Sequence, residues 1–160
     1  MKRNLLAEWI GYLMIVGSVV GLDQFVKFLA YRDLRPIGSV DLIPGVFRFS
    51  YCENTGAAFS MLSGQIWVFI LLTLVLCSLI VFLIAKGLVR SAWARVFLMC
   101  VVGGGIGNLI DRIFRGFVVD LFDFYLIDFA VFNVADIFVC CGCVLFILLF
   151  LLTKGDILDS

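Results

Sequence analysis

The chain has 160 residues, 64% of them hydrophobic and 15% charged, with zero net charge and a mean hydropathy of +1.18. So few polar side chains cannot cover a water-soluble domain of this length, so the composition points to an integral membrane protein, one bundle over residues 1–160. Histidine is absent, which excludes Ser-His-Asp and Cys-His catalysis, HExxH metalloprotease chemistry and histidine metal sites, and the scattered basic residues give nucleic acid no footing.

Met1-Lys2-Arg3 opens like a secretory signal, but Glu8 interrupts it and no small-residue cleavage site follows. A retained first span over about residues 9–30 is expected. Trp9–Leu22 is uncharged yet shorter than the ~20 residues a crossing needs. The helix must therefore take in Asp23 and Lys27, which lie four apart on one face, the spacing of an ion pair. Residues 32–60 are too polar to span. Phe47, Phe49 and Tyr51 alternate there with Arg48, Ser50 and Cys52, the period of a strand with one apolar face. A small β-cradle on the membrane surface is expected, with turns at Pro36 and Pro44-Gly45. A polar cluster, Asn54 to Phe59, closes this segment.

Ile66–Ala85 is twenty residues without a charge and makes the second span. The third, about 95–114, combines Val96–Ile110 with Asp111 and Arg112. Gly103 and Gly107 give it a GxxxG spacing for close helix packing. Asp111 and Arg115 repeat the four-residue spacing, and Asn108 and Arg112 share another face. The stretch from Phe117 to Phe132 is rich in aromatic and β-branched residues and is expected as a strand or extended loop over the same site. The fourth span, about 134–153, carries Asp136 at its mouth beside Asn133. Five of the six cysteines sit in apolar runs and read as small hydrophobes. The CxxC of Cys140 to Cys143 has no second cluster, so no metal or cofactor is expected.

Lys86, Arg90 and Arg95 fill the short loop between spans two and three, while residues 116–133 hold three acids and no base. With Lys2 and Arg3 before span one and Lys154 after span four, both termini are expected on the cytoplasmic side. The polar clusters of all four spans then converge at the outer rim of the bilayer. A transporter would continue its polar residues inward, but span two has no charge and the inner halves of the others are apolar.

Two carboxylates brought close share a proton, and such a pair can activate water and polarise a carbonyl without histidine or metal. Asp136 precedes sixteen apolar residues, where an idle acid is costly, although a helix N-terminus also favours an acid. Its partner in the outer loop is Asp120, Asp123 or Asp128, and spacing does not choose among them.

Five segments in order carry a resemblance: Asp23-Gln24-Phe25-Val26-Lys27, Asn54-Thr55-Gly56-Ala57-Ala58-Phe59-Ser60, Gly104-Gly105-Ile106-Gly107-Asn108-Leu109-Ile110-Asp111-Arg112, Val118-Val119-Asp120, and Phe132-Asn133-Val134-Ala135-Asp136. The chain resembles the lipoprotein signal peptidases (signal peptidase II) along nearly its whole length. The resemblance implies an all-α membrane protein, a four-helix bundle with an extracytoplasmic β-cradle. It implies a catalytic pair at Asp120 and Asp136. Asn54, Asn108, Arg112 and Asn133 would line the site, and Asp23, Lys27, Gly56 and Ala57 would support it. The implied substrate is a diacylglyceryl prolipoprotein, cut before its lipidated cysteine by a monomer in the bacterial inner membrane. Membrane lipid and globomycin-type inhibitors are the other implied partners. Where the family commonly has Ser after Asn-Val-Ala-Asp, this chain has Ile137.

Overall fold

A computed structural model describes residues 5–56 and 64–153. Lys2, Arg3, Ala57, Ala58, Phe59 and Lys154 lie outside the described residues. Four helices are long and apolar enough to cross a membrane. They are α1 (Leu5–Leu29, continued by a π-helical turn over Ala30–Leu34), α2 (Ile66–Ala85), α3 (Ala92–Phe114) and α4 (Val134–Leu152). In α2 the buried residues are Ile70 and Ile84, and apart from Ser78 its exposed side chains are apolar, as lipid requires.

α3 is the centre of the bundle, with α1, α2 and α4 packed against it. The glycines of α3 allow this closeness. A Cβ on Gly104 would run into the Ala135 carbonyl oxygen, and one on Gly107 would lie 2.6 Å from Oδ2 of Asp23. The GxxxG reading therefore extends beyond helix packing, since Gly107 makes room for a buried carboxylate. Gly104→Ala is expected to cost about 1–3 kcal/mol, because backbone must move. The check is the thermal unfolding midpoint in detergent, with Gly11→Ala as control, where nothing lies within 4 Å of the added methyl. Equal midpoints in the two variants would contradict the close approach of α4.

Strands β1 (Ser39–Ile43), β2 (Phe47–Asn54) and β3 (Val118–Asp123) form an antiparallel sheet in that order. The β1–β2 turn has Pro44 then Gly45 at φ 80°, with the Val46 N–H donating to Ile43 O at 3.0 Å, a type II signature. The segment expected as strand or extended loop supplies β3 and then a return through Phe132, which bridges Phe122. Val119 and Leu121 bury themselves with Ala30 and Leu34, fastening the sheet to the end of α1. Phe47, Phe122, Phe124 and Phe132 stack on the sheet, with Phe47–Phe124 centroids 4.6 Å apart and Phe124–Phe132 6.1 Å apart.

One irregularity in the ladder positions the site. Phe49 pairs with Phe122, and an unbroken ladder would then set Tyr51 opposite Asp120. An extra residue on β2 sets Cys52 there instead. A one-residue slip exchanges the faces of a strand, so Asn54 comes onto the face of Asp120.

Candidate active site

Asp120 projects from β3 and Asp136 from the first turn of α4. Both border one cavity of about 490 Å³, with Asn54, Asn108 and Arg112 on the same wall. Each carboxylate is held by two N–H donors. Asp120 accepts from Asn54 Nδ2 at 2.9 Å and from Asn133 Nδ2 at 2.6 Å. Asp136 accepts from Asn108 Nδ2 at 2.7 Å and from the Asn133 backbone N–H at 3.1 Å. Asn133 Nδ2 also donates to Asn108 Oδ1 at 3.1 Å. The two acids are thus joined through two side-chain amides.

These amides cannot turn the other way, because each oxygen is claimed by a separate donor. The Gly56 N–H donates to Asn54 Oδ1 at 2.9 Å. The Asp136 N–H donates to Asn133 Oδ1 at 3.0 Å. The Lys27 ammonium, which can only donate, meets Asn108 Oδ1 at 2.8 Å. Three NH2 groups are left facing the carboxylates. Asn133 and Asp136 also form a reciprocal capping box at the start of α4. Asp136 thus serves the helix N-terminus and also borders the cavity.

Lys27 is fully buried, as are Asp23 and Asp111. Its ammonium lies 2.9 Å from Asp23 Oδ2 and 3.1 Å from Asp111 Oδ2. The expected Asp23–Lys27 pair is thus part of a three-residue cluster. Asp111, read from the sequence as a polar end of span three spaced to pair with Arg115 (3.4 Å here), is the member whose place in the cluster the spacing did not reveal. Gln24 was missed too, and it bridges Asp23 and Asp111 at 3.2 Å each. Asp111 and Gln24 both stand inside the segments that carried the resemblance, but only as polar side chains at span ends, with no role attached.

Arg112 donates to Gly56 O at 3.2 Å and lies 5.1 Å above the Phe69 ring, tying α2 and the end of β2 to the cavity wall. Gly56 is buried under this contact. Ile137, Cys140 and Cys141 continue the wall down α4, and residues 129–132 roof it. Cys140 and Cys141 thus border the cavity as well as the lipid-facing side of α4. Among the described residues no group of His, Cys, Asp or Glu could hold a metal ion.

Burial, and after it the charge of Asp136, pushes the Asp120 carboxyl up to about 7, against the opposing pull of Asn54, Asn133 and Lys27. A carboxyl with that value holds or releases a proton near neutrality, as a general acid or base needs.

Residues 15–152 match the model of the signal peptidase (SPase) II family. The lipoprotein signal peptidase of Caldanaerobacter subterraneus is 44% identical over 133 residues, covering 83% of this chain and 90% of that one. That of Streptococcus thermophilus is 40% identical over 132 residues, covering 82% and 86%. A bacterial membrane enzyme solved by the in meso method superposes with a TM-score of 0.82 at 29% identity, covering 94% of this chain and 93% of that one. The described parts of the segments that carried the resemblance come together at one cavity or, through Lys27, directly behind it, and the family match spans most of the chain, so the chain belongs to the signal peptidase II family.

Proposed function

We propose that this chain removes the signal peptide of diacylglyceryl prolipoproteins as an aspartyl endopeptidase, cutting the bond before the lipid-modified cysteine. The observation that carries the reading is the pair of carboxyl groups on one cavity, joined through Asn133 and Asn108. The pair holds one proton. The ionised acid takes a proton from water as its oxygen attacks the scissile carbonyl carbon. The protonated acid donates to the carbonyl oxygen. Collapse of the tetrahedral intermediate breaks the C–N bond, and the leaving amine takes a proton from the pair.

The surroundings suit such a substrate. Asn54 and Asn108 each have a second amide hydrogen to offer a peptide backbone, and Arg112 stands at the same wall. Ile137, Phe129, Cys140 and Cys141 give the cavity an apolar side for signal residues and acyl chains. We place the cavity at the outer face of the cytoplasmic membrane with both termini inside, on the basic loop from Lys86 to Arg95. The chain acts as a monomer, and globomycin-type cyclic peptides compete for the cavity.

Purified protein in detergent should cut a diacylglyceryl precursor and leave its unlipidated form intact, with the new N-terminus at the lipidated cysteine. Mass spectrometry of the products reads both points. Equal cutting of the two forms would remove the lipid requirement, and no cutting of either would defeat the reading.

A further inference from the structure

The buried cluster touches the backbone of both catalytic segments in the same way. The Val119 N–H, one residue ahead of Asp120, donates to Asp111 Oδ2 at 3.1 Å. The Ala135 N–H, one residue ahead of Asp136, donates to Asp23 Oδ1 at 2.9 Å. Lys27 joins these two acids at 2.9 and 3.1 Å, and Gln24 joins them again at 3.2 Å. β3 and α4 are therefore pinned to one rigid, fully buried unit. We infer that Asp23 and Asp111, tied together by Lys27, are positioning residues that set the separation of the Asp120 and Asp136 carboxyl groups.

An ion cluster kept only to make polar span ends tolerable has no need of these two backbone bonds, and apolar side chains of similar volume would serve stability as well. The separation matters because two carboxyls titrate as a unit. The gap between the two limbs of a bell-shaped kcat/KM profile reports how strongly they feel each other. The other groups facing the pair are Lys27 from α1, Arg112 from α3, Cys52 from β2 and, on α4 itself, Cys140.

The geometry supplies a matched test, resting on the aspartyl reading above. In Asp111 one oxygen, Oδ2, serves both Val119 and Lys27, so Asp111→Asn keeps the clamp with its remaining oxygen and gives up only the Oδ1 contacts, to Gln24 at 3.2 Å and Arg115 at 3.4 Å. In Asp23 the duties are split, Oδ1 to Ala135 and Oδ2 to Lys27. Asp23→Asn must give one of them up, and the ammonium takes the single oxygen. Both variants remove the same charge beside the same lysine. Asp23→Asn is expected to lose kcat about 100-fold, the scale of a small misplacement of reacting groups, with KM little changed and the two limbs of the pH profile drawn together. Asp111→Asn is expected to stay within about tenfold of the parent, the weight of one hydrogen bond, with the gap preserved. Equal losses and equal profiles in the two variants overturn the positioning role. Asp120→Asn is assayed alongside. Full activity there overturns the aspartyl reading itself, whereas its loss together with equal asparagine variants overturns only the clamp.

Discussion

Asp120→Asn and Asp136→Asn are each expected to lower the rate of precursor cleavage 10²- to 10⁴-fold, roughly the contribution of a positioned acid or base, while the protein still inserts and folds. The amide can neither accept the proton of the attacking water nor return one to the leaving amine. Asp120→Asn carries a second, opposite consequence for stability. The Asp120 carboxyl sits at about 7 in the fold against 3.8 when exposed. Below 3.8 it is protonated folded and unfolded, and contributes nothing. Between 3.8 and about 7 the folded chain holds more protons than the unfolded one, so stability falls as pH rises. Above about 7 the buried charge costs its full amount, on the order of 4 kcal/mol. An asparagine removes that burden but turns an NH2 toward one of the donors from Asn54 and Asn133, a loss of about 1–3 kcal/mol. At pH 8 the inactive variant should thus unfold at a higher temperature than the parent, and the order should reverse toward pH 4. Robust cleavage by either variant, or a parent that is the more stable at pH 8, would contradict the buried pair.

The bundle was legible in the sequence because span length is a one-dimensional quantity. Ile66–Ala85 declares itself by composition, and the helix has those bounds. The glycines of the third span were legible for the same reason, since small residues at helical spacing mean a close neighbour whatever that neighbour is. The strand Phe47–Asn54 followed from alternation. Which loop acid faces Asp136 was not legible from spacing. Asp123 is paired to Arg48 at 2.7 Å, and Asp128 occupies a left-handed turn at φ 49°. Asp120 alone of the three meets Asn54 and Asn133. That choice depends on the register of β3 against β2 and on one extra residue in β2, a pairing across some seventy residues that no local pattern records. Family resemblance chose Asp120 by matching a motif, and the bulge gives the physical reason. The role of Asp111 was hidden likewise, because its partners Lys27, Val119 and Gln24 come from α1 and β3. The capping box at Asn133-Val134-Ala135-Asp136 was the missed local signal, since Asn followed three residues later by an acid is a helix start.

Lys27→Met is expected to be the most damaging single change outside the pair. It leaves Asp23 and Asp111 fully buried without the cation between them, at a cost of about 3–5 kcal/mol. Arg115 offers Asp111 only a 3.4 Å contact from its partly exposed position and does not reach Asp23. The change also strikes chemistry by a separate route. Without the ammonium, Asn108 Oδ1 keeps only the neutral Asn133 Nδ2 donor, so the amide is held less firmly with its NH2 toward Asp136. The two effects come apart in the combined variant Lys27→Met, Asp23→Asn, Asp111→Asn. There the uncompensated charges are gone, so the unfolding midpoint in detergent should return most of the way to that of the parent. Cleavage should stay low because no cation orients Asn108, even though the single oxygen left at position 23, with no ammonium to claim it, still accepts from the Ala135 N–H. A combined variant that regains turnover along with stability would reduce Lys27 to charge balance. A stable but inactive one would show that the buried lysine works on the site through the asparagine it holds.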